Sequence, residues 1–233
     1  MLFGWRAILL VALLLAGTPR ASGLVINFEV IPGGAPSDGL SISDQFAASD
    51  GVTFELTNGA APVLIKTGDQ TGPIGFIYQK EHLANTPAPG TDIGSYYLTD
   101  DGILGPAHGL ALNFSWPMAS VGGQIIDVDH SDAWAIDAFD AAGAVVDQQT
   151  ITADSPGAGD GTAAPFFVTS SANNITAVTL TYTGDGTAPG FGWDNFTVVR
   201  APVVPLPPSA LTGGTMLTLL WLRSLWRRAA NRR

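Results

Sequence analysis

Leu110-Ala111-Leu112-Asn113-Phe114-Ser115-Trp116-Pro117 carries the clearest structural signal in the chain. Leu110, Leu112, Phe114 and Trp116 recur at every second position, the period of a half-buried strand and not of a helix. With Ala111, Asn113 and Ser115 on the opposite side, the segment lays one face on a core and turns the other away. Pro117 has no N–H to give to a ladder and marks the expected end of the strand.

The same alternation recurs on either side of this stretch. Downstream, Gly123 to Val128 reads as a further strand, and Trp134 to Phe139 alternates into the turn Asp140-Ala141-Ala142-Gly143, a hairpin with Ala144 to Ile151. Pro165 to Thr169, Ile175 to Thr183 and Gly192 to Val199 follow. Upstream lie Val25 to Val30, Val52 to Leu56, Val63 to Ile65, Gly75 to Tyr78 and Ser95 to Leu98, punctuated by turns such as Pro32-Gly33-Gly34 and Asn58-Gly59. No helical period of ten residues or more occurs between Leu24 and Arg200. About ten strands at this spacing predict an all-β fold, an antiparallel β-sandwich.

The two ends of the chain differ from this middle. Residues 1–23 have the build of a secretory signal peptide: Arg6, an apolar run from Ala7 to Ala16, and the small residues Ala21-Ser22-Gly23. The β-sandwich domain spans 24–200, a proline-rich linker 201–208 contains Val204-Pro205-Leu206-Pro207, and 209–233 is an apolar helix with a basic tail. From Ser209 to Leu222 that helix covers roughly 21 Å against a hydrocarbon layer of about 30 Å, so Arg223 must snorkel for it to cross. Arg227, Arg228, Arg232 and Arg233 hold the tail on the cytoplasmic side and leave the upstream domain outside.

Charge is concentrated in the exported part. All twenty Asp and Glu lie between Glu29 and Asp194, whereas only Lys66, Lys80 and Arg200 of the ten basic residues fall in 24–200, an excess of seventeen negative charges. Nucleic acid is excluded as a partner, because phosphate needs clustered Lys and Arg. There is no cysteine, so neither a disulfide framework nor a lipidated cysteine is available.

Catalytic motifs are absent. The chain has no Gly-x-Ser-x-Gly, His-Glu-x-x-His or phosphate-binding glycine loop, and His82, His108 and His130 stand in no ligand spacing. Asp127-Val128-Asp129-His130-Ser131-Asp132 begins like a calcium loop, but Asp132 replaces the required glycine and Ala138 the closing acid. The segment then reads as the polar face of a strand entering a turn. Tyr96 and Trp116 are the aromatics expected at sheet ends, where a sugar's apolar face could stack.

The ordered series of proline box, short apolar helix and arginine stop resembles the PEP-CTERM sorting signal of Gram-negative bacteria, in a variant with Leu206 between the prolines. The resemblance implies export, processing by an exosortase-type enzyme, transient anchoring by the C-terminal helix, and delivery to the cell surface or its exopolysaccharide. Phe28-Glu29, Asp44-Gln45-Phe46, Gly51 to Phe54, Ala138 to Gly143 and Gly190 to Phe196 resemble the exported domains of this group that are built on a galactose-binding-like jelly roll. That resemblance implies a structural calcium ion held by Glu29 of the first strand and Asp194 of the last, with Asp44 able to complete the oxygen shell.

Three functions fit: a non-enzymatic carbohydrate- or exopolysaccharide-associated surface module, a secreted polysaccharide hydrolase, and a structural matrix protein without a ligand. The first is the expectation. On sorting, the mature protein is expected to lack Val204 to Arg233 after cleavage near Pro207, which mass spectrometry of the native surface protein checks; an intact arginine tail would make the segment a plain anchor.

Overall fold

Twelve strands are described in the computed structural model, which covers residues 23–78, 82–100, 107–185 and 190–201. They are β1 (Gly23–Ile26), β2 (Val52–Leu56), β3 (Val63–Lys66), β4 (Ile77–Tyr78), β5 (Leu83–Ala84), β6 (Tyr96–Thr99), β7 (Leu110–Ile126), β8 (Ala133–Phe139), β9 (Val145–Thr152), β10 (Ala163–Thr169), β11 (Ile175–Tyr182) and β12 (Gly192–Arg200). One helical turn, Ala47–Asp50, is the only helix among the described residues. No described helix is long and apolar enough to cross a membrane. The expected signal peptide up to Ser22, the motif Val204 to Pro207 and the helix 209–233 lie outside the described residues.

The alternation at Leu110 is realised, but the strand does not stop at Pro117. It is 17 residues long in all, ending at Ile126, and takes in most of the segment expected as a separate strand from Gly123 to Val128. Pro117 is tolerated because the pairing breaks around it. On the β11 side Ile175 faces Met118 while Ala177 faces Asn113, so residues 114–117 lie outside that ladder; on the β2 side the register ends at Phe114 and Ser115 N donates to the Gly51 carbonyl, so no ladder N–H is needed at Pro117.

This bend makes β7 a member of two half-sheets. Its first part pairs with β2 and β11, and β11 leads on to β8 and β9. Its second part pairs with β10 and β12, and β12 carries β1 and β6 on its far edge, with β3 beyond β6. All of these pairings are antiparallel. The halves face each other: Phe54 of β2 meets Phe196 of β12 with ring centroids 5.5 Å apart, and Trp134 of β8 meets Trp193 of β12 at 5.7 Å. A strand that bends from one layer into the other is how such corners are built.

Aromatic rings fill the space between the layers. Phe28, Phe46, Phe54, Phe166 and Phe196 make edge-on and tilted contacts with one another. A second group joins Trp134, Tyr182, Phe191 and Trp193. Each ring removes a large apolar area from water, and the edge-to-face pairs add to that burial.

β1 is shorter than the expected Val25 to Val30. Phe28 adopts φ 59°, which ends the extended run, and its ring is fully buried in the first aromatic group. Glu29 therefore lies beyond the first strand and not on it. Between β3 and β6, residues 67–78 and 82–95 pack on the outer face of the second half-sheet, where Ile65, Phe76, Tyr97 and Ile126 form a small separate core. Asn85 holds this cover in place. Its Oδ1 accepts from Gly75 N at 2.8 Å and Tyr97 Oη at 2.9 Å, and its Nδ2 donates to the carbonyls of Asp69 and Pro73 at 2.8 Å each. The amide thus satisfies itself while fully buried, at φ 55°, a conformation that Asn tolerates.

Candidate glycan trough and its flanking carboxylates

The outer face of the second half-sheet is open where this cover ends. Four residues aligned across four strands set its section: Phe167 of β10 lies opposite Gly122 of β7, Gly122 opposite Thr197 of β12, and Thr197 opposite Val25 of β1. Phe167 and Val25, at the two ends of this row, are 57% and 56% exposed, whereas the middle positions are small. The result is a trough with apolar walls and a flat floor, with a volume of about 540 Å³. That lies within the usual range for small-ligand sites. Gly122 keeps the floor low, since a Cβ would lie 3.1 Å from both the Phe167 ring and the Phe166 carbonyl and would press on them.

The next row supplies polarity. Pro165 faces Gln124, and Gln124 faces Asp194. One extra residue then enters β12, because Asp194 pairs with Gln124 but Thr197 with Gly122. This bulge holds Asn195 at φ 54°. Asn195 Nδ2 donates to Gln124 Oε1 at 2.8 Å and to the Asp92 carbonyl, so two amides and the Asp92 loop close the end of the trough.

Beneath that end wall lie two acids. Asp194 is fully buried; its Oδ1 accepts from Asn195 N at 2.7 Å and its Oδ2 from Gly94 N at 3.5 Å. Glu29 Oε1 accepts from Ser95 N and, at 3.2 Å, from Tyr96 N. Both carboxylates thus flank Gly94, where a Cβ would strike Glu29. Burial pushes Asp194 up to about 8, opposed by its two backbone donors and reinforced by the charges of Glu29 and Asp92. Asp44, the third expected ligand, lies instead in a separate hollow with Thr53, Glu55 and Ala60. The second acid acting on Asp194 is Asp92.

Neither expected stacking aromatic lines the trough. Trp116 is half-buried against the core, with the Arg200 guanidinium 3.7 Å from its ring centre and the Gly51 backbone so close that a Cβ there would lie 2.3 Å from the indole. Tyr96 is half-buried in the β3 pairing opposite Lys66. The residue that sequence reading missed is Phe167. Its signal was the doublet Phe166-Phe167, since consecutive strand residues point to opposite faces and one ring had to face away from the core.

A second acidic group was read as the polar side of a strand. In the structure β7 ends at Ile126, and Asp127 turns the chain at φ 65° with only 7% of its surface exposed. Its Oδ1 accepts from Gly161 N at 2.6 Å. Carboxylate oxygens of Asp127, Asp129 and Asp160 lie within 4.8 Å of one another, an arrangement that could hold a cation. Asp132 accepts from Tyr182 Oη at 2.8 Å, and exposed His130 pairs with Asp129 at 2.7 Å, which raises the imidazole. Burial, then the charges of Asp129, Asp160 and Asp132, push Asp127 up to about 8, against the opposing Gly161 bond.

A pH dependence follows from these two acids. The folded chain keeps protons on Asp127 and Asp194 that the unfolded chain releases from about 3.8 upward, so their stabilisation is complete below about 3.8 and is lost as pH rises toward 8. Thermal melts in EDTA from pH 4 to 9 are expected to show a midpoint that falls across this window, with a shallower fall for Asp127→Asn. An unchanged slope in that variant would mean that Asp127 does not carry a raised pKa.

No protein-family profile and no curated protein matches the chain. Among solved structures it is similar to a DUF4465 family protein from Bacteroides caccae, at 15% identity and TM-score 0.46 over 77% of this chain and all of that one. It is similar to the K2 cleaved adhesin domain of Lys-gingipain at 12% identity and TM-score 0.43, over 76% of this chain and 99% of that one. It is also similar to a xylan-binding domain from CBM 22 at 10% identity and TM-score 0.33, over 72% of this chain and 99% of that one. Likenesses of this degree assign no activity to the chain.

Proposed function

We propose that residues 24–200 form a galactose-binding-like jelly roll that acts as a non-enzymatic glycan-binding module at the cell surface or in the exopolysaccharide matrix. The chain reaches that location through the C-terminal sorting signal and an exosortase-type enzyme. The observation that carries the glycan reading is the row Phe167–Gly122–Thr197–Val25, with an exposed ring on one wall and amides at one end. A pyranose offers apolar C–H faces to a ring and hydroxyls to amides, and an open trough admits a chain and not only a terminal sugar. Lys66 and Arg200 are the described cations, neither lines the trough, and Arg200 is stacked on Trp116, so an acidic glycan finds no counter-charge there.

Hydrolysis is the less favoured reading. Glycosidases need two facing carboxylates, and Asp92 alone lines the trough, with Asp194 fully buried behind the wall. The expected stacking role therefore passes from Tyr96 and Trp116 to Phe167. A structural calcium ion at Glu29 and Asp194 belongs to the same proposal. Two carboxylates converge on Gly94, and a cation there would offset the cost of burying Asp194.

Two outcomes are expected. Titration of the purified protein with neutral oligosaccharides should give weak binding that Phe167→Ala lowers by about tenfold, equivalent to about 1.4 kcal/mol, while Trp116→Ala lowers the melting midpoint and leaves affinity intact. No binding to any glycan by the wild type would end this reading. Calcium should raise the midpoint by several degrees and EDTA reverse it, since an ion at a hundredfold its Kd stabilises by about 2.7 kcal/mol. Asp194→Asn should abolish the shift. Loss of the shift in Asp129→Asn instead would place the ion beside Asp127.

A further inference from the structure

We propose that the glycan the trough selects carries free amines: a glucosamine-type, partly N-deacetylated chain and not its fully acetylated or acidic counterparts. This rests on the glycan reading above and specifies its ligand class. Three observations support it.

Asp92 is the one ionisable side chain that lines the trough. Its main-chain carbonyl is bound by Asn195 Nδ2, which fixes the residue at the rim, yet no donor among the described residues reaches its exposed carboxylate. The acid is therefore held at the rim with its carboxylate facing solvent, beside the Gln124 and Asn195 amides that would receive a sugar's hydroxyls. A protonated sugar amine can replace solvent as its donor, and a charge-assisted bond of that kind is stronger than a neutral one.

The surrounding field has the same sign. Residues 24–200 carry twenty acidic groups against three basic ones, and no cation lines the trough to oppose a second one. A polycationic chain is drawn toward such a surface and an anionic one repelled, over about a Debye length of 8–10 Å. The apolar walls remain compatible, because an amine replaces only one substituent and leaves the C–H face of the ring for Phe167.

The test compares glucosamine oligomers with N-acetylglucosamine and galacturonate oligomers of equal length, by calorimetry on the purified protein at low salt. The amine-bearing oligomer should bind at least tenfold tighter than the acetylated one, and the acidic one should not bind. Asp92→Asn should shrink the preference to less than twofold, and raising the salt should narrow it in the wild type. The Asp92 side chain makes no hydrogen bond among the described residues, so this variant should fold as the wild type does, with its midpoint equal or slightly higher because one charge beside Asp194 is gone, and Asp92→Ser serves as a second variant. Equal affinity for the two amino-sugar oligomers, or a preference that survives Asp92→Asn, overturns the proposal while leaving a neutral-glycan module standing. Binding of neither by the wild type overturns the glycan reading as well.

Discussion

Strand β7 carries hydrogen-bond ladders on both of its edges in two successive stretches, and every other part of the domain is placed by that fact. Before Pro117 its partners are β2 and β11; after it they are β10 and β12. A regular strand could serve only one layer. The break in the β11 pairing at residues 114–117, with the β2 pairing ending at Phe114, lets the backbone bend where proline has no N–H to lose, so two layers share one strand and enclose the aromatic core between them.

That core has to supply stability without disulfides. The buried rings of Phe28, Phe54, Phe196, Trp134 and Trp193 come from strands or strand ends far apart in sequence, so their contacts form only when the two layers close. Local backbone compromises follow from this demand. Phe28 at φ 59° breaks β1 to turn its ring inward, and the same break carries Glu29 out of the strand toward Gly94 and the buried Asp194. The core and the carboxylate pair are thus consequences of one kink.

The trough is built by the opposite economy, with small residues where the core uses large ones. Gly122 and Thr197 keep the outer face of β7 and β12 low, while Phe167 and Val25 rise at either side. The bulge at Asn195 redirects one amide toward Gln124 and the Asp92 carbonyl and so gives the trough a polar end. Asp194, directly behind it, binds Asn195 N and so ties the end wall to the acidic site under the loop.

Local pattern was enough for the all-β class, for the β8–β9 hairpin at Asp140 to Gly143, and for the faces of Leu110, Leu112 and Phe114, because period-two alternation and turn chemistry are properties of neighbouring residues. Glu29 and Asp194 were named through a family resemblance and not through spacing, and the structure brings both carboxylates to Gly94. Other features had no local signature. Pro117 read as a stop because a proline's effect depends on whether its partner strand has a residue opposite, which is a matter of register. Trp116 read as a sheet-end aromatic able to stack a sugar, but Arg200 and Gly51, distant in sequence, cover it. The trough spans β10, β7, β12 and β1, so it came into being only when four segments from across the domain were brought into one row, and no reading along the chain contains the order in which strands lie side by side.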